Sequence, residues 1–416
     1  MAVLKPFKAY RPAPELASKV ASLPYDVMNS DEARQMVAGN PYSFLHVDKA
    51  EIDLDPSVDI HDVQVYEKAR DNLYGMINDK IFINDQQDSL YIYKQIMNGR
   101  TQVGLVGTTS IDDYLNNIIK KHEFTRADKE LDRINHVDYT NANTGPIFLT
   151  YRKREDISQL INSWMENKDP IYDFVSDDGI THTVWHIDDR GIVDELVAKF
   201  SGVDYLYIAD GHHRAASAVK VGLKRREQFP DYDGTEEFNY FLAVLFPDED
   251  LYIMDYNRVV RDLNEYSTAE FIELLKQSFE VKEFEGEGQF KPAEKHTFGM
   301  YLDDKWYILK AKDGTFDEAS PVDRLDVSIL QKNVLTPLLG IQDPRVDDRI
   351  DFVGGIRGLA ELEDRVDEGG MRVAFSMYPT SISDLMAIAD AGEVMPPKST
   401  WFEPKLRSGL FIHTLE

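Results

Sequence analysis

The apolar run Val203 to Ala209 ends in Asp210-Gly211 and leads at once into Arg214-Ala215-Ala216-Ser217-Ala218. The run reads as a buried strand, Asp-Gly as a turn, and the small residues as a helix. Strands and helices alternating in this way call for a mixed α/β (α+β) architecture, since each layer must bury its apolar face on another. The turn itself carries Asp210, Gly211, His212, His213 and Arg214. Free backbone N–H groups and the positive end of a helix dipole converge there, which favours a bound phosphate. Arg214 adds a forked, charge-assisted donor. Two further readings stay open. Asp-Gly is a common turn and the histidines can simply cap or pack; a metal is the other, although helical ligand pairs usually stand four residues apart.

A chain of 416 residues exceeds one ordinary core. We expect a catalytic core over residues 1–254, a smaller α+β lobe over 255–370, and a segment over 371–416 that returns to the core. Hydrophobic content of 43% and aromatic content of 11% suit an ordered globular protein. The formal charge of −28 repels nucleic acid and acidic membranes, so any anion site must be a local basic pocket. The absence of cysteine excludes disulfides, thiolate metal sites and cysteine nucleophiles. Pro6, Lys8 and Arg11 interrupt the start before a signal-length apolar core can form, and no run approaches a membrane span. A cytoplasmic location is expected.

Residues 22–27 and 40–47 read as loop-to-strand transitions. Val65, Ala69, Leu73 and Ile77 recur every four residues and predict a helix over 61–78. Residues 89–95 and 101–109 predict a hairpin closed by Asn98-Gly99. Strands are expected at 145–151 and 241–246, and a helix at 157–166. In the second lobe a helix over 268–279 precedes strands near 281–284, 298–302 and 306–310.

Four other places carry candidate chemistry. Glu123, among Lys120, Lys121, His122 and Arg126, is a candidate general base for a hydroxyl acceptor, or part of a solvated helix face. In Met395-Pro396-Pro397-Lys398-Ser399-Thr400, Lys398, Ser399 and Thr400 offer an ammonium and two hydroxyls to phosphate oxygens, or a packed tail. Gly354-Gly355-Ile356-Arg357-Gly358 allows close backbone approach to a ligand, with Arg357 supplying charge, or is only a turn. Asp26 is a candidate to orient substrate or magnesium, or a turn cap.

Pro24-Tyr25-Asp26-Val27, Asn40-Pro41-Tyr42-Ser43, His122-Glu123, Asp210 to Arg214 and Pro396 to Thr400 with Pro404-Lys405 together resemble the domain-of-unknown-function family numbered 1015. That family is similar to the ParB/sulfiredoxin-like superfamily, which includes free-serine kinases. The resemblance implies a ParB/sulfiredoxin-like nucleotide-binding core. In the kinase branch the Asp-Gly-His-His-Arg turn binds nucleotide phosphates and a glutamate in a Pro-His-Glu context acts as base. Asp210 to Arg214 match throughout, whereas Lys121 stands where the proline would be. Sulfiredoxin chemistry requires a cysteine that this chain lacks.

The expected function is transfer of a phosphoryl group from ATP or ADP, with Mg2+, to a small hydroxylated metabolite, free L-serine being the named acceptor. Glu123, Asp210 and His212 take the catalytic roles. Gly211, His213, Arg214, Arg357, Lys398, Ser399 and Thr400 hold the nucleotide, and Asp26 and His122 the substrate. No residue is assigned as a permanent metal ligand. The partners are a small-molecule substrate and a nucleotide, with no nucleic acid and no membrane. The alternatives are a non-catalytic nucleotide-binding regulator and a His/Asp metal-dependent hydrolase.

Overall fold

The computed structural model describes residues 1–123, 125 and 127–416, with the side chain of residue 128 left aside. The chain divides into two compact units: Met1–Lys121, Thr125–Leu251 and Pro404–Glu416 form the first; His122 and Glu123 with Tyr252–Glu403 form the second. Residues 371–403, expected to return to the core, lie instead in the second unit, and only the last thirteen residues return. The reason is the short buried strand Val373–Ser376, which pairs on both sides within the second sheet. Four consecutive buried residues have no periodicity from which such a placement can be read.

The first unit is built on an eight-stranded sheet: β1 Leu90–Met97, β2 Arg100–Ser110, β3 Ile119–Lys120, β4 Ile147–Tyr151, β5 Tyr172–Val175, β6 Thr181–Ile187, β7 Leu206–Asp210 and β8 Tyr240–Pro247. Their order across the sheet is β3-β7-β4-β8-β2-β1-β6-β5. β1 and β2 form the expected hairpin, with Asn98 and Gly99 both at positive φ as a two-residue turn of the right twist requires. One apolar core joins Ile92, Leu105, Leu149, Ile208 and Leu245 of the sheet to Ile161, Leu196 and Ala218 of helices.

The longest helices are α1 Val63–Asn78, α2 Ala127–Thr140, α3 Glu155–Asn167, α4 Arg190–Phe200 and α5 His212–Gln228. α5 approaches its neighbours closely: a side chain at Gly222 would meet the Phe238 carbonyl at 2.5 Å. Two expected strand entries are helical instead, with a 3-10 turn at Tyr25–Val27 and an α-turn at Leu45–Asp48. Phe44, Leu45 and Val47 are buried there, and an apolar run this short does not distinguish helix from strand.

The second unit holds a six-stranded antiparallel sheet: β9 Tyr256–Val260, β10 Phe279–Glu283, β11 Thr297–Leu302, β12 Lys305–Ala311, β13 Ile350–Gly354 and β14 Val373–Ser376, in the order β10-β12-β11-β14-β9-β13. Val259, Tyr301, Val353 and Ala374 pack with Leu362 of helix α6, Ala360–Asp367. The helix expected over 268–279 stops at Leu275, and Phe279 opens β10. Among the described residues, no helix is long and apolar enough to cross a membrane.

Candidate functional site

β7 delivers Asp210 to the end of the sheet, and its pairing with β4 shifts register between Ile208 and Asp210. A bulge at this point turns the last residue out of the regular ladder. Gly211 follows at φ 93°, a left-handed conformation, and α5 begins at His212. A Cβ on Gly211 would also stand 3.1 Å from Nε of Arg214. Glycine is therefore required twice over, for the backbone angle and for the room the guanidinium occupies.

Arg214, one turn into α5, folds back on the turn. Its Nη2 donates to Oδ2 of Asp210 at 2.7 Å and its Nη1 to the Pro146 carbonyl at 2.6 Å. Its side chain is only 11% exposed, and among the described residues its buried Nε has no hydrogen-bond partner. Lys405 Nζ reaches Oδ1 of the same carboxylate at 3.3 Å. Gln95 of β1 holds this part of the tail by donating to the Lys405 carbonyl at 2.9 Å. Burial alone would raise the Asp210 pKa, but Lys405, Arg214 and His212 outweigh it and hold the carboxyl well below the usual range. Burial lowers the Arg214 pKa, and the charges of Asp210, Asp26, Tyr25 and Asp48 more than restore it.

Behind Arg214 lies a cavity of about 20 Å³ lined by Tyr25, Asp48, Arg133, His136, Thr144 and Arg214. That is room for roughly one water-sized group. The Arg133 guanidinium lies 4.0 Å from the centre of the Tyr25 ring and pairs with Asp132 at 2.8 Å. Thr144 donates to Asp48 at 2.9 Å, and burial followed by Arg133 keeps the His136 imidazole below its ordinary pKa. Arg133, Tyr25 and Asp48, which line this cavity, and Lys405, which reaches Asp210, are not among the expected site residues. Their only signals were adjacency to Asp26 for Tyr25 and the Pro404-Lys405 pair for Lys405.

The remaining candidates divide by unit. Asp26, exposed in its 3-10 turn, belongs with the Asp210–Arg214 turn in the first unit, as do His212, which is buried, and His213, whose carbonyl accepts from Ser217 at 2.7 Å. His122 and Glu123 belong to the second unit, where the main-chain carbonyl of the buried His122 accepts a hydrogen bond from the Met395 amide at 2.8 Å. The cations expected around Glu123 are engaged in the first unit: Lys120 lies 4.2 Å from the Tyr205 ring, and Lys121 lies 4.0 Å from the Tyr114 ring and donates to the Tyr114 carbonyl. Arg126 lies outside the described residues.

Lys398, Ser399, Thr400 and Arg357 are also in the second unit. The Ser399 hydroxyl donates to the Pro396 carbonyl at 2.6 Å, so the chain's own backbone takes the proton meant for a phosphate. Lys398 is exposed at φ 59°, and its carbonyl accepts from Arg258. Arg357 is exposed. The space that Gly354 and Gly355 were expected to leave for a ligand is filled by the Trp401 indole, at 2.7 Å from a Cβ built on Gly354, and by Asp255, at 2.7 Å from one on Gly355.

The model of the family described as a protein of unknown function (DUF1015) matches residues 4–328, and the chain belongs to that family. No curated protein matches it. Among solved structures, the chain is similar to a free serine kinase in complex with AMP, at 15% identity and a TM-score of 0.38, covering 74% of this chain and 91% of that one. A conserved hypothetical protein from Pyrococcus furiosus is similar at 16% identity and 0.37, covering 74% and 94%. SbnI from Staphylococcus aureus, truncated at its C-terminus, is similar at 13% and 0.38, covering 74% and 86%.

Proposed function

We propose that the protein is a nucleotide-dependent phosphotransferase whose acceptor is a small hydroxylated metabolite, with free L-serine the acceptor to test first. The observation that carries the reading is the arrangement around Asp210. Two cations, Arg214 and Lys405, face one carboxylate at the start of a seventeen-residue helix, and a buried guanidinium N–H is left to be donated. In a chain of charge −28 this is a local site for phosphate oxygens.

In this reading the α5 N-terminus and Arg214 hold the terminal phosphates of ATP or ADP, and Lys405 keeps Asp210 ionised so that Arg214 stays oriented. Asp26 supplies an exposed carboxylate of the kind that holds Mg2+ alongside phosphates. Bound there, the ion would neutralise charge on the transferred group. Glu123 is given the role of accepting the hydroxyl proton.

Phosphorus NMR of the purified protein with Mg2+, ATP or ADP and a pool of hydroxylated amino acids tests the reading. A new phosphomonoester resonance, lost in Arg214→Ala and reduced at least a hundredfold in rate by Glu123→Gln, is expected. No phosphomonoester with either nucleotide overturns it, and full activity of Glu123→Gln removes the base.

A further inference from the structure

The second unit contains a cavity of about 350 Å³ whose lining includes Glu123, Gln331, Gln342, Asp343, Arg345 and Pro396. All but Glu123 lie beyond residue 328, where the family match ends. The backbone is unusual at this point. Helix α-type residues Asp326–Leu330 widen into a π-turn over Gln331–Leu335, in which the Gln331 carbonyl accepts from the Thr336 amide at 3.0 Å. Wide turns of this kind recur at functional sites because they displace one side chain from the regular helical row.

The polar atoms of the lining define what it can recognise. Nε2 of Gln331 donates to Oγ1 of Thr336 at 2.9 Å and to the Ile341 carbonyl at 2.8 Å. A backbone carbonyl only accepts, so the amide orientation is set and Oε1 is the end Gln331 can offer to a ligand. It is an acceptor. Arg345 pairs with Asp343 through Nε at 2.9 Å and Nη2 at 2.8 Å. Among the described residues nothing takes Nη1, so its two N–H groups can be donated to a second anion. An amide oxygen and a guanidinium donor in one lining match a group bearing both an ammonium and a carboxylate.

We propose that this cavity binds a small zwitterionic amino acid, with Oε1 of Gln331 receiving the ammonium and Nη1 of Arg345 the carboxylate. Gln331 and Arg345 are then specificity-determining residues. The proposal rests on the phosphotransferase reading only in identifying the bound amino acid with the acceptor; binding itself does not depend on transfer.

Calorimetric titration of the full chain without nucleotide tests it, using L-serine, L-homoserine and glycine against ethanolamine, which lacks the carboxylate, and 3-hydroxypropionate, which lacks the ammonium. At least one of the amino acids should bind ten times or more tighter than both truncated compounds. Arg345→Gln, at an exposed position, should reduce that preference to within threefold of ethanolamine, and Gln331→Met should weaken the amino acid and ethanolamine but not 3-hydroxypropionate. Failure of every amino acid to bind at millimolar concentration, or binding indifferent to Arg345→Gln, overturns the proposal. Binding with this pattern but no phosphorylated product leaves the pocket and removes the kinase. Phosphorylation of an alcohol that lacks both charged groups, unaffected by Arg345→Gln, does the reverse.

Discussion

The Asp210–Arg214 turn and the Met395–Thr400 segment both offer hydroxyls, charges or backbone N–H groups suited to phosphate, yet the fold uses them differently. At the turn, Gly211 makes room for Arg214, and the guanidinium is oriented by Asp210 and Pro146 while one buried N–H is left over. In the other segment Ser399 closes onto Pro396, and the Lys398 backbone is tied to Arg258. A phosphate-like sequence becomes a candidate site only when donors remain after the chain's own hydrogen bonds have been made.

The largest break in this comparison is expected from Arg214→Ala. It leaves Asp210 facing Lys405 alone and should cost about 3–5 kcal/mol in a urea titration, as removal of one partner of a buried pair does, along with nucleotide binding. Ordinary stability with lost binding would restrict Arg214 to the ligand.

A second contrast sets two carboxyls of opposite tendency against each other. Asp210 is held low by its cations, whereas burial pushes Asp326, in the second unit, up to about 7, with the His296 amide and Lys295 only partly opposing. A depressed carboxyl stabilises above its unfolded pKa and loses that contribution as pH falls through the folded value. A raised one stabilises at low pH, and its contribution is lost between about pH 4 and 7. Asp326→Asn should therefore remove a decline in stability of no more than about 4 kcal/mol over that window, measured as the urea midpoint of each form from about pH 4 to 8. An unchanged slope would show that Asp326 titrates as an ordinary carboxylate.

Gly211→Ala should cost about 1–2 kcal/mol from the left-handed backbone. Because the new methyl presses on Arg214, nucleotide affinity should fall as well. Ser399→Ala, which removes one internal hydrogen bond, should cost about 1 kcal/mol and leave nucleotide affinity within twofold. Loss of nucleotide binding in Ser399→Ala would restore the segment as a phosphate site.

Much of the first unit was legible because its signals are local. The Asn98-Gly99 hairpin and the strand, turn and helix around Asp210 each carry their own turn chemistry and periodicity. The path of the tail was not, since Val373–Ser376 and Lys405 are placed by partners far away in sequence. Of the candidate site, Asp26 and Asp210–Arg214 stand out by residue type, while Arg133 and Asp48 look like ordinary helix charges until the fold buries them around one cavity. Gly354 and Gly355 misled for the converse reason: glycine permits close approach, but an indole of the same chain can be what approaches.

We propose that the Asp210–Arg214 turn, and not the Lys398–Thr400 segment, binds nucleotide phosphates. Calorimetric titration of Mg·ADP into the wild-type protein, Arg214→Gln and Lys398→Ala tests it most directly. Binding by the wild type is expected, with affinity at least tenfold weaker in Arg214→Gln and no more than a twofold change in Lys398→Ala. Wild-type affinity in Arg214→Gln, or loss of binding in Lys398→Ala alone, would contradict it.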